Sequence, residues 1–284
     1  MAEPEMKRQD NPVLKRNDKG PDVTNAQSLL NRNGAIIDPD GDFGGGTEDA
    51  VREFQAIRGI PVTGIIDSVT WKGLRALSEP SRDIPARAVS FIGREEVGSR
   101  RLYDMSQRPT WPGGASGVTI GVGYDLGYQT TFDADWAGLL IAPQLAALRK
   151  WVGLRGQAAA AGPAALVDIT IPWNAAWTVF IGRSLPQSVG DTRNAFFRST
   201  DMSRLCFGVL VSLVYNRGTS MTDSVSNPGN RKEMREIRDA VAIGRLSDIP
   251  SLLRAMKRLW PEPNGLRDRR EREAKLFEIG LAGG

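Results

Sequence analysis

The chain has 284 residues, with 37 Lys and Arg against 33 Asp and Glu and a pI near 9.4. At about 150 residues per domain this length suggests two domains, and 40% hydrophobic residues are enough for a sizeable core. Histidine is absent, which excludes Ser-His-Asp and Cys-His nucleophilic sites and the usual catalytic zinc centres, and leaves carboxylates, Tyr and Lys for acid–base work.

The net charge of +4 suits a mildly anionic partner. Cys206, the single cysteine, sits between Leu205 and Phe207 and is expected as a buried thiol. The opening residues MAEPEMKRQDNP hold no apolar core of a secretion signal, so the product is expected to be made in the cytoplasm. No apolar run reaches the roughly 18 residues of a spanning helix.

In chain order, residues 1–10 read as a flexible N-terminus, 11–78 as a compact helical unit, 79–86 as a Pro-containing linker and 87–284 as a second, mainly α domain. In the first unit, Asp22, Thr47 and Thr70 are candidate caps of three helices, with Val23, Ala26, Leu29 and Leu30, then Ala50, Val51, Phe54 and Ile57, then Trp71, Leu74 and Leu77 at helical spacing. DPDGDFGGG (38–46) alternates Asp38, Asp40 and Asp42 like a calcium loop. It has Phe43 where such a loop needs Gly and Asp49 where it needs Glu, so it reads as a turn. The second domain has helical patterns at 88–97, 133–150, 201–217, 231–246, 248–260 and 266–280, and no internal repeat is visible.

GVTIGVGYDLGY (117–128) is glycine-rich, yet it is no nucleotide loop: Leu126 stands where a dinucleotide fingerprint needs Gly, and no Lys-Ser or Lys-Thr follows. The alternation of Val118, Ile120, Val122 and Tyr124 with Gly and Thr predicts β structure with tight turns. Upstream, Glu95 and Glu96 end an apolar helix, where a carboxyl can be partly desolvated as a glycosidase acid requires; a solvated charge is the plain alternative.

Two resemblances follow from these motifs. DGDFGGGTEDAVREFQ (40–55) with GIPVTGIIDSVTWKGL (59–74) resembles a small three-helix peptidoglycan-binding domain. The resemblance implies a non-catalytic wall anchor, with Asp42, Phe43, Thr47 and Trp71 near its binding face or bracing it. FIGREEVGSRRLYD (91–104), GVTIGVG (117–123), LVSLVYNRG (210–218) and GLRDRREREAKLF (265–277) resemble the phage-type lysozyme family. The seven-residue interval to Tyr103 favours Glu96 over Glu95 as the acid, and GVTIGVG becomes the family's β-hairpin, with Thr119 on the cleft wall.

The departures concern the second carboxylate. Asp104 falls one residue short of the family's position, residues 105–116 enlarge the loop before the hairpin, and Tyr124 replaces the usual histidine, followed by Asp125. Asp104 is the first choice for the second carboxylate and Asp125 the alternative, with Tyr124 lining the cleft. Together the resemblances imply a mainly α, modular phage endolysin whose α+β lysozyme-like domain hydrolyses the β-1,4 bond between N-acetylmuramic acid and N-acetylglucosamine. A carboxyl separation of about 6.5–9.5 Å would mean inversion and a shorter one retention. The resemblance implies no metal or organic cofactor. It implies a monomer acting on bacterial peptidoglycan, released through a phage-made membrane hole, with no nucleic-acid partner and no required membrane contact. A lytic transglycosylase, a non-catalytic wall-binding protein and a secreted antibacterial effector stay open as alternatives.

Overall fold

The computed structural model describes residues 12–283; the expected flexible N-terminus at 1–10 lies outside the described residues. The fold is mainly α with one two-stranded sheet. It divides into two compact units, the first ending at Pro80 and the second beginning at Ser81. Among the described residues no helix is long and apolar enough to cross a membrane.

The first unit packs α1 (Pro21–Arg32), α2 (Gly45–Ile57) and α3 (Ser68–Arg75) around Val23, Leu30, Phe43, Val51, Phe54, Ile66, Trp71 and Leu74. The helix starts differ from the expected caps. α1 and α2 begin after Gly20 and Gly44, and Asp67 caps α3 by accepting from the Thr70 amide at 2.8 Å. Thr47 and Thr70 lie inside their helices because buried glutamines claim their hydroxyls.

Those glutamines reveal a repeat that the sequence reading missed. Gln27 on α1 donates to Asp40, the Asp42 carbonyl and Thr47, and accepts from the Gly41 amide at 2.9 Å. Gln55 on α2 donates to Thr63, the Ile65 carbonyl and Thr70, and accepts from the Thr63 and Gly64 amides at 2.9 Å. Each loop thus runs from a left-handed glycine, Gly41 or Gly64, to a helix threonine six residues on, with its own core residue, Phe43 or Ile66, fully buried. The segment at 14–19 pairs with both loops, Leu14 with Ile66 and Lys19 with Asp42. The signal was Gly-Asp-Phe-x-x-x-Thr beside Gly-Ile-Ile-x-x-x-Thr, hidden because the three middle residues differ.

The second unit contains α4 (Ala86–Val97), α5 (Arg100–Met105), β1 (Thr119–Ile120), β2 (Tyr124–Asp125), α6 (Phe132–Trp136), α7 (Ala142–Arg149), α8 (Gly162–Ala165), α9 (Trp173–Val179), α10 (Leu185–Ala195), α11 (Arg204–Arg217), α12 (Lys232–Ala242), α13 (Ile249–Ala255) and α14 (Gly265–Ala282). β1 and β2 form an antiparallel hairpin, with Ile120 opposite Tyr124. α11 is the apolar centre: Cys206 through Val214 are all buried, packed by Phe91, Phe196, Met234, Ile237, Leu253 and Phe277. Burial pushes the Cys206 thiol pKa up.

Two segments depart from the sequence reading. The expected helix at 133–150 is two helices, broken where Gly138 takes a left-handed φ of 73°. The helices at 173–195 were not expected because Gly182 and Pro186 interrupt them; they are joined by a π-helical turn, Phe180–Ser184. In the stretch at 79–86, Glu79 pairs with Arg32 at 2.6 Å, Asp83 pairs with Arg193, and Ile84 is fully buried.

Replacing Gln27 by Ala takes the partner from the buried Gly41 amide and Thr47 hydroxyl, at about 1–3 kcal/mol for each group left unsatisfied. Denaturant unfolding should show the first unit weakened by at least about 2 kcal/mol, with hydrogen exchange at the Gly41 amide accelerated; an unchanged midpoint would contradict the pinning role.

Candidate active site

A cleft of about 310 Å³ opens in the second unit, with Glu96, Tyr103, Gln107, Thr110, Thr119 and Gly123 among its walls. α4 delivers Glu96 from its last turn, and Gly98, with a φ of 78°, ends the helix. The hairpin delivers Thr119. Its glycines are needed for close approach: a side chain at Gly117 would overlap the Gly127 nitrogen. At Gly123, which has a φ of 68°, it would lie 3.0 Å from Tyr215 and 3.3 Å from Glu96 Oε2. The Tyr215 hydroxyl on α11 donates to the Val122 carbonyl at 2.6 Å and holds the hairpin turn. Burial, then the Glu96 charge, raises the Tyr215 pKa.

Glu96 Oε1 accepts from Arg269 Nη1 at 2.7 Å, while Oε2 faces Gly123. Arg269 is 3% exposed and also donates to Glu273, the Ser212 carbonyl and the Ser212 hydroxyl. Arg270 and Glu273 are fully buried; Arg270 donates to Asn216 at 3.0 Å and to Glu273 at 3.1 Å. Ser212 donates to Glu273 at 2.7 Å. Glu95 turns away from the cleft to Arg272, at 2.6 and 2.8 Å. Burial works to lower the Arg269 pKa, but Glu96 and Glu273 outweigh it and hold the guanidinium more firmly protonated. The α14 segment places Arg269, Arg270 and Glu273 in the interior, while Arg267, Asp268, Glu271, Arg272 and Lys275 stay partly or fully exposed.

The second-carboxylate candidates fare differently. Asp104 is exposed on α5, pairs with Arg100 at 3.1 Å and accepts from Gln107 at 3.3 Å; it does not line the cleft. The face of this segment that reaches the cleft carries Leu102, Tyr103, Ser106 and Gln107; at about 100° of rotation per residue, positions 104 and 105 both fall on the opposite face. Asp125 braces the hairpin, accepting from the Gly117 amide at 3.0 Å and the Gly127 amide at 2.8 Å. Burial raises its pKa against those bonds. Tyr124 does not line the cleft: it is 2% exposed and donates to Asp135 at 2.7 Å. Glu96 is the only carboxylate among the described lining residues. The enlarged loop contributes Gln107, Arg108, Thr110 and Pro112 to the walls.

In the first unit, Phe43 and Trp71 are core residues, 0% and 1% exposed, and Trp71 donates to the Pro12 carbonyl at 2.9 Å. Thr47 is 4% exposed and accepts from Gln27. These three brace the unit and present nothing to a ligand. Asp42 remains partly exposed, paired with Lys19 at 2.6 Å. The carboxylates of Asp40 and Asp42 are engaged by Gln27, the Asp42 amide and Lys19. Val13 and Ile65, next to the paired Leu14 and Ile66, are exposed apolar side chains, as are Val62 and Val69.

Residues 19–74 match the family described as "Putative peptidoglycan binding domain". No curated protein matches the chain. Among solved structures the chain is similar to the crystal structure of Burkholderia AP3 phage endolysin, at 18% identity over 94% of this chain and 100% of that one, with a TM-score of 0.23. A likeness at that score carries no structural argument.

Removing one member of a buried ion cluster costs about 3–5 kcal/mol, because its partners stay charged and desolvated. Glu273→Gln should therefore lower the stability of the second unit to denaturant by about 3 kcal/mol or more; a loss under about 1 kcal/mol would mean that the cluster relaxes into solvent.

Proposed function

We propose that the protein is a wall-directed glycosidase of the endolysin kind. The first unit anchors it to bacterial peptidoglycan, and the second cleaves the β-1,4 bond between N-acetylmuramic acid and N-acetylglucosamine. The observation that carries this reading is one cleft lined by both Glu96 and Thr119, with one Glu96 oxygen held by Arg269 and the other turned to the hairpin. The peptidoglycan-binding match at 19–74 supports the anchor, and the lack of histidine leaves a carboxylate as the natural acid. Glu96 protonates the leaving glycosidic oxygen, and the Thr119 hydroxyl orients the attacking water. The protein works as a monomer, without metal, organic cofactor or nucleic acid, and reaches the wall through a membrane hole made by the phage.

A second reading is favoured by the isolation of Glu96 from other carboxylates in the cleft. In a lytic transglycosylase the muramic acid C6 hydroxyl attacks C1. The C1–O bond breaks, Glu96 gives its proton to the leaving oxygen and then regains one from the C6 hydroxyl. No water is consumed, and the product ends in 1,6-anhydromuramic acid. Reducing muramic ends in the soluble fragments support hydrolysis; anhydro ends support the second reading.

The direct test is release of soluble fragments from purified peptidoglycan by wild type and Glu96→Gln. General-acid removal should cost at least about 10²-fold, while co-sedimentation of the variant with insoluble peptidoglycan is unchanged. A variant that keeps its rate would remove Glu96 from the chemistry.

A further inference from the structure

A second cavity, about 350 Å³, lies at the C-terminal end of α11 and is lined by Asn216, Arg217, Asn230, Arg231 and Trp260, among others. Two guanidinium groups meet there, each fixed by one backbone carbonyl. Arg217 Nη2 donates to the Asn230 carbonyl at 2.6 Å, and Arg231 Nη1 donates to the Arg217 carbonyl at 2.6 Å. The Arg217 side chain is further held against the Trp260 ring, 5.5 Å from its centroid.

What these groups lack is an anion. A guanidinium has five N–H donors, and Arg217 Nε is buried with no acceptor. Among the described residues neither arginine forms a salt bridge, because the nearby carboxylates are engaged elsewhere. Glu233 is clamped by Arg258 at 2.5 and 2.9 Å. Asp223 pairs with Arg235 at 3.2 Å and accepts from the Arg231 amide at 2.7 Å. Glu273 belongs to Arg269, Arg270 and Ser212. Burial first, then the charges of Arg231 and Arg270, pushes the Arg217 pKa down to about 10. The cost of holding two cations together in a partly desolvated cavity falls when an anion enters it.

A planar fork with spare donors suits a compact oxyanion, which it can grip through two parallel bonds. We propose that this cavity is an oxyanion-binding site of the second unit, built by Arg217 and Arg231, for a carboxylate or phosphate group. The binding does not depend on Glu96 chemistry and is measurable in a protein that cleaves nothing.

The test follows the arginine Nε–H resonances of the full chain, labelled with ¹⁵N-arginine, during titration with inorganic phosphate and, separately, with acetate at constant ionic strength. The expected result is a saturable shift of the Arg217 Nε–H with at least one of the two anions. The better-binding anion identifies the group the site takes. Arg217→Lys keeps the charge but loses the fork, and should weaken binding about tenfold or more. Arg231→Gln should weaken it similarly, and the melting temperature of each variant shows that it is folded. No saturable shift with either anion, or unchanged affinity in both folded variants, would overturn the proposal.

Discussion

The second unit depends on one constraint: three cations and three anions on α4 and α14 must neutralise one another at and beneath the cleft. Taking a charge out of water costs several kcal/mol per ion, and attraction offsets this only when the geometry and the remaining hydrogen bonds are complete. Arg269, Arg270 and Glu273 approach that condition through Ser212 and Asn216 on α11, while Arg270 Nε and Glu273 Oε2, paired at 3.1 Å, have no hydrogen-bond partner. Arg269 and Arg272 then reach α4 through Glu96 and Glu95. The cluster therefore sets which face of α4 meets the cleft. It contributes little net stability compared with an apolar core of the same volume; its effect is to fix the position and orientation of the Glu96 carboxyl.

The first unit solves a similar problem with neutral amides at its centre. Its loops have too few apolar residues to pack themselves, so two buried amides take over. A glutamine offers two donors and an acceptor with two lone pairs, and Gln27 and Gln55 each use both kinds. The outcome is a small rigid body whose most recognisable motif residues, Phe43, Thr47 and Trp71, face inward. Such a unit recognises its ligand with what is left on the surface, so motif strength in the sequence and contact with a ligand are separate matters.

The same distinction explains how much the sequence told. Glu96, Thr119 and the hairpin were legible because their spacing is set by local geometry: a helix end, a strand and glycines with left-handed φ. The core of α11 was legible from unbroken hydrophobicity. The position of Asp104 was not legible, because linear spacing does not say which helix face reaches the cleft: Leu102, Tyr103, Ser106 and Gln107 line it, and Asp104 lies on the other side. The buried charges of α14 were hidden for a related reason. Arg269, Arg270 and Glu273 share a face at helical spacing, but charge at that spacing is normally read as a solvated surface. The helices at 173–195 were hidden because their Gly and Pro are absorbed by a π-helical turn and a helix first turn, both tolerant of those residues.

The measurement that tests this account most directly is a crystal structure of Glu96→Gln with a bound peptidoglycan glycan oligomer. The account predicts a saccharide lying along the cleft, the substituted amide within hydrogen-bond reach of the glycosidic oxygen, Thr119 on the neighbouring wall, and Asp104 still paired with Arg100. A saccharide seated elsewhere on the second unit, or an Asp104 carboxyl swung in beside the scissile bond, would contradict it.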